Sequence, residues 1–138
     1  MLKPRVLAAA ALAALIATLP AAAQKGADAS GLWLTQTGDS KVRLSRCGAG
    51  YCGVIASTSG KGIDEHNPDP ALRGRSVVGV QIVNAPTASG EGYEGTLYNP
   101  KDGKTYSGSL KITGPGTIEV AGCVMGVFCK RQTWKKVN

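Results

Sequence analysis

The sequence has 138 residues, 43% of them hydrophobic, with 16 Lys and Arg against nine Asp and Glu, a formal net charge of +7. Nineteen glycines and only seven aromatic side chains argue against a helical bundle, because glycine weakens a helix interior by about 1 kcal/mol relative to alanine. The length suits a single domain with one core. At the start of the chain, Met1 to Arg5 is cationic, Val6 to Leu19 is apolar, and Ala21-Ala22-Ala23 follows Pro20. This pattern predicts an export signal over 1–23, cut between Ala23 and Gln24, and one domain over 24–138. A membrane anchor is disfavoured, since the apolar run would span about 21 Å as a helix against a hydrocarbon core of about 30 Å. Without Lys3 and Arg5, fourteen cations face nine acids, a net of +5. No later stretch is apolar enough to span a membrane as a helix, so a soluble mature chain is expected.

From Gly31 onward, short alternating segments recur with turn residues between them, and no helical spacing persists. Strands are predicted near Gly31–Gln36, Lys41–Arg46, Gly53–Ser57, Ser76–Val83, Tyr93–Tyr98, Thr105–Ile112, Thr117–Gly122 and Arg131–Val137. Thr37 to Ser40, Asn99 to Gly103 and Thr113 to Gly116 hold the residues that tight hairpins require, so consecutive strands should pair as a meander. The register is clearest where Tyr106, Leu110 and Ile112 alternate with Lys104, Ser107, Ser109 and Lys111, with Gly108 keeping the inward phase. An open sheet of this size would leave an apolar face and two edges bare. The expected fold is therefore all-β, a single antiparallel eight-stranded up-and-down barrel, with a two-layer sandwich as the alternative. Gly79, Gly95, Gly108 and Gly122 suit bent strands at barrel corners. Val42, Leu44, Val78, Val80, Ile82 and Leu110 are expected on the inner wall.

An exported chain meets an oxidising compartment, which favours disulfides over thiols. The four cysteines form two close pairs, and local bridges Cys47–Cys52 and Cys123–Cys129 are expected, each pinning a turn with about 2 kcal/mol by chain entropy. Bridges from Cys47 to Cys123 or Cys129 are the alternative. A four-cysteine zinc site is disfavoured by spacing, since zinc ribbons use closer pairs. Lys130, Arg131, Lys135 and Lys136 surround Trp134 near the end, but a solvated strand face gives the same cluster. No stacking platform accompanies it, so no nucleic-acid partner is expected.

Residues Thr58 to Arg75 break the strand rhythm, and loops of this length usually have a function or are disordered. Pro68 and Pro70 restrict Asn67 and Asp69, while Asp64, Asn67 and Asp69 can close turns onto backbone amides, so an ordered loop is expected. Asp64, Glu65, His66 and Asp69 contain the groups of a divalent-ion or acid–base site. Asx turns, with Asp64 or Asp69 paired to Arg73 or Arg75, explain the same residues structurally. Asp64, Asn67, Arg73 and Arg75 are the candidate site residues, because paired arginines suit bidentate recognition of carboxylate or phosphate as well as internal ion pairs.

Five motifs in order, Gly31-Leu32-Trp33, the Cys-Gly pairs at 47 to 53, Asp64-x-x-Asn67-Pro68-Asp69-Pro70-x-Leu72-Arg73-Gly74-Arg75, Asp102-Gly103-Lys104-x-Tyr106 and Gly122-Cys123 with Gln132-Thr133-Trp134, resemble the bacterial envelope family catalogued as domain of unknown function 2147. The resemblance spans essentially the whole mature chain. It implies a small exported barrel of lipocalin and fatty-acid-binding shape, with a periplasmic location and no established activity. Gly31-Leu32-Trp33 also looks like the Gly-x-Trp that opens lipocalins. In that reading Trp33 plugs the barrel base and a basic residue near the last strand, Arg131 or Lys130, stacks upon it.

The sequence holds one histidine, no nucleophile-elbow motif and no phosphate-cradling loop. The expected role is that of a non-catalytic, monomeric binding module for a small apolar or amphipathic ligand, without a cofactor or metal. An envelope interaction protein contacting a protein, peptidoglycan or anionic lipid through the 58–75 loop is the alternative, and a metal-dependent enzyme the third reading.

Overall fold

The computed structural model describes residues 27–137 and, apart from these, Pro4. The expected signal segment and the cut after Ala23 otherwise lie outside the described residues. Eight strands run β1 (Gly31–Leu34), β2 (Ser40–Cys47), β3 (Gly50–Thr58), β4 (Gln81–Ser89), β5 (Gly92–Asn99), β6 (Lys104–Gly114), β7 (Thr117–Val124) and β8 (Phe128–Lys136). Each pairs antiparallel with the next, and β8 returns to β1, closing an up-and-down barrel. The alternation read in β6 is the alternation of its burial, with Gly108 and Leu110 inside and Ser107, Ser109 and Lys111 outside. Gly95, Gly108 and Gly122 are direct cross-strand partners on β5, β6 and β7. A Cβ on Gly108 would lie 2.4 Å from the Leu97 side chain, so the missing side chain is the space that Leu97 occupies.

The fourth strand differs from expectation. It runs from Gln81 to Ser89 instead of Ser76 to Val83. Gly79 has φ +90° and donates to the Ile55 carbonyl at 2.7 Å, which turns the chain before any ladder forms. Val78 therefore points to solvent, 49% exposed, and is not a wall residue. Pro86, an unfavourable strand residue, is accommodated where the β4–β5 register shifts between Asn84 and Thr87, and its carbonyl accepts from Ala49.

The short turns at 48–49, 90–91 and 115–116 mark one end of the barrel, and the longer connections at 35–39, 59–80, 100–103 and 125–127 mark the other. The first end is packed solid. Trp33, Tyr51, Leu44, Leu110, Ile118, Val42 and Val83 are all less than 2% exposed, each fully buried side chain of this kind contributing about 1.5–3 kcal/mol. Their polar atoms are satisfied: Trp33 Nε1 donates to the Ala29 carbonyl at 2.8 Å, and Tyr51 Oη accepts from the Ala29 amide at 3.0 Å. Cys47–Cys52 clips the β2–β3 hairpin at this end and Cys123–Cys129 the β7–β8 hairpin at the other, both sulfur pairs lying at bonding distance.

Candidate functional site

Above this packed base the bore opens into a cavity of about 750 Å³. Its lower wall is apolar, formed by Val83, Leu97, Val120 and the Trp134 indole, with Ile55 and Ile82 beside them. Alternation along β8 aims Phe128, Lys130, Gln132 and Trp134 at the cavity. Gln132 Oε1 accepts from Trp134 Nε1 at 3.0 Å, which fixes the indole edge. Gly122, across from Lys130 in the β7–β8 ladder, leaves the wall bare at this height.

The rim is polar. Asp39 receives Lys101 Nζ at 2.8 Å and Thr37 Oγ1 at 2.6 Å, and these contacts hold its carboxyl down at about 2. Lys61 Nζ lies 3.6 Å from Glu65, which also meets His66 at 3.4 Å. Asp102 accepts from Tyr106, and that hydrogen bond raises the Tyr106 phenol. Lys130 belongs to none of the ion pairs formed among the described residues.

The 59–80 connection is ordered through Asp64, whose side chain is fully buried. Asp64 Oδ1 accepts from Tyr98 Oη at 2.5 Å, and Oδ2 accepts from Asn67 Nδ2 at 2.9 Å and Arg75 Nε at 3.0 Å. Burial alone would raise this carboxyl, but the three donors outweigh it and hold it below the usual range. Tyr98 is pushed up to about 12 by burial and by the Asp64 charge. Asn67 Oδ1 accepts from the Asp69 amide, Asp69 Oδ1 from the Ala71 amide, and Arg73 Nε donates to the Asn67 carbonyl at 2.8 Å. These bonds build a short 3₁₀ turn over Pro70–Leu72. The structure thus brings Asp64, Asn67, Arg73 and Arg75 together, but as the internal anchor of the loop, off the cavity lining. The carboxylate and imidazole cluster does not converge: Asp64 turns into the loop, Glu65 and His66 face the rim, and Asp69 caps the turn.

Gly103 completes this anchor. It has φ +69°, and a Cβ there would fall 1.7 Å from the His66 carbonyl oxygen, so the β5–β6 turn and the long loop touch through bare backbone. Trp33, 1% exposed, meets Lys136 Nζ at 5.9 Å from its ring centroid, within cation–π range. Arg131 and Lys130, the two residues expected at the base, are both elsewhere: Lys130 lines the cavity, and Arg131 is on the outer wall. It has the outward phase of β8 and pairs with Glu119 at 2.6 Å, whereas Lys136 stands directly opposite Trp33 in the β1–β8 ladder.

The model of a family described as "Uncharacterized protein conserved in bacteria (DUF2147)" matches residues 31–136, which include all eight strands of the barrel. The chain belongs to that family. Among solved structures, this DUF2147 chain is similar to protein HP1028 from the human pathogen Helicobacter pylori, which belongs to the lipocalin family. The two share 27% identity with a TM-score of 0.70, over 80% of this chain and 84% of that one. No curated protein matches the DUF2147 chain. The sequence points to Lys130 only as a candidate partner of Trp33 at the base, and to Gly122, Gln132 and Trp134 only as motif residues, not to a cavity wall. Their signal was available in the period-two spacing of β8, once β8 was known to begin at Phe128.

Proposed function

We propose that this protein is a non-catalytic, exported binding module that holds a small amphipathic molecule in the open half of its barrel. The observation that carries the reading is the cavity itself: about 750 Å³, within the ordinary range for small-molecule sites, apolar at the floor and polar at the rim. The similarity to a lipocalin-family protein supports the same class of function. An apolar body would rest on Val83, Leu97, Val120 and Trp134, and an acidic group on the ligand would meet Lys130, whose charge no neighbouring carboxylate among the described residues neutralises. The polar atoms of Asp64, Asn67, Arg73 and Arg75 serve the loop, which favours a structural lip over chemistry at those residues.

The test uses Gly122→Leu. A Cβ at Gly122 meets nothing closer than 3.6 Å, so the new side chain would enter the cavity without disturbing the wall. The wild-type protein is expected to bind a fluorescent anionic amphiphile such as anilinonaphthalene sulfonate and to release it to a long-chain fatty acid. Gly122→Leu should abolish this with its Tm maintained, and Lys130→Gln should weaken it several-fold. Binding equal to wild type in Gly122→Leu, or no binding by the wild-type protein, would refute the proposal.

A further inference from the structure

The turn between β7 and β8 is built against the usual rules for a water-facing hairpin. Met125 is 90% exposed, Val127 75%, Phe128 74% and Val124 48%, so four apolar side chains in five residues stand in solvent. Met125 and Gly126 have φ of 54° and 68°, and Val127 N donates to the Val124 carbonyl at 3.2 Å, which places a β-turn with both central residues left-handed inside the three-residue connection. Such turns favour Asn, Asp or Gly at the first central position, where a short polar group tolerates the backbone and likes water. Met125 has neither property. The strand pair beneath is locked by Cys123–Cys129, whose residues face one another in the ladder, so the apolar tip cannot fold back onto the barrel by fraying.

We propose that this tip docks the protein on a lipid bilayer, inserting Met125, Val127 and Phe128 among the acyl chains and so holding the cavity mouth at the membrane surface. The shape of the patch selects the bilayer over a protein. A stable protein contact buries roughly 800 Å² on each partner, and a hairpin tip with a three-residue connection is too narrow to supply such a face. A narrow apolar wedge suits the headgroup boundary, where apolar groups sink about 5–10 Å. Charge agrees: from Cys123 to Arg131 there is no acidic residue, and Lys130, at the cavity mouth behind the tip, belongs to no ion pair among the described residues, which favours anionic headgroups. Position agrees as well. Val124 and Phe128 line the cavity as well as the tip, and Ile63, 46% exposed, flanks the same mouth from the long loop. This docking is independent of what the cavity holds.

The experiment is co-sedimentation of the purified chain from Gln24, which contains all eight strands, with vesicles of phosphatidylethanolamine and phosphatidylglycerol. Wild-type protein should pellet with the vesicles. Met125→Ser with Phe128→Ser should lower the partition coefficient at least about tenfold, since two large side chains lose their apolar transfer. Val54→Ser, an exposed valine on the wall, should leave it unchanged, and the Tm of all variants should match wild type. In Met125→Trp the new indole emission should shift to the blue on vesicle addition. Wild-type protein left in the supernatant, undiminished pelleting of the double variant, or an unshifted emission would overturn the proposal. A dimer that requires Met125 and Phe128 in sedimentation equilibrium would overturn it in favour of self-association.

Discussion

The two ends of the barrel share strands but not contents. At the closed end Trp33, Tyr51, Leu44 and Leu110 fill the bore, and among the described residues no buried side-chain polar atom lacks a partner. At the mouth the inward positions of β7 and β8 hold Gly122, Lys130 and Gln132, and a cavity of about 750 Å³ is left beside them. The exterior is uniform by contrast: Arg43, Glu94, Lys111, Glu119 and Arg131 project from the wall, unlike the apolar band of a membrane-spanning barrel. A small barrel can therefore divide its length, one half supplying stability and the other free to specialise. Large losses of stability should map to the base and large losses of binding to the mouth.

The sharpest way to break that division is at the base. Trp33→Ala or Tyr51→Ala should cost about 3–5 kcal/mol in chemical denaturation. The second test lies at the mouth, where the comparison predicts one exception. Asp64 is a stability residue in the binding half, so Asp64→Ala should cost about 3 kcal/mol, because it strands Arg75, Asn67 and Tyr98. Gly103→Ala should follow at about 2 kcal/mol or more, through the left-handed backbone and the collision with His66.

Acid titration sharpens the same point. Asp64 and Asp39 both have folded pKa values below the ordinary 3.8, so the unfolded chain binds more protons as the pH drops. Their contribution is complete above about pH 4 and is lost as the pH falls, down to about 2 for Asp39. Melting temperature against pH should show this loss, and Asp64→Asn should flatten it. The smallest effect belongs to Lys136→Ala, expected to cost about 0.5 kcal/mol through its contact with the Trp33 ring.

The alternation of β6 and β7 made the barrel legible in the sequence because one face of each strand is dry and the other wet. The boundary of β4 was not legible. Ser76 to Val83 alternates well enough to pass for a strand, and Pro86 argues against the segment that forms one, yet a bulge accepts the proline and Gly79 turns the chain. Asp64, Asn67 and Arg75 could be read as a self-satisfied turn because they are near neighbours. Tyr98, their fourth partner, arrives from β5 across a separation of 34 residues that no local pattern encodes. Lys136 replaced Arg131 beside Trp33 for a related reason: which cation meets the indole depends on the stagger at which the last strand closes on the first. The cavity is further still from the sequence, since it is the space left after all eight strands have placed their side chains.

That closing stagger leaves the ring with an uneven joint. β7 and β8 pair along eight positions, whereas β1 and β8 pair only at Trp33 with Lys136 and Leu34 with Lys135. The chain extends the joint at both ends, with Val137 N donating to the Leu32 carbonyl at 2.9 Å and the Gln36 side chain standing in for backbone by accepting the Thr133 amide at 2.8 Å. Neither cystine crosses this line, since each clips strands already adjacent in the chain. The cylinder should therefore unzip here first, its amides trading hydrogen for deuterium sooner than those of the hairpins on the opposite side.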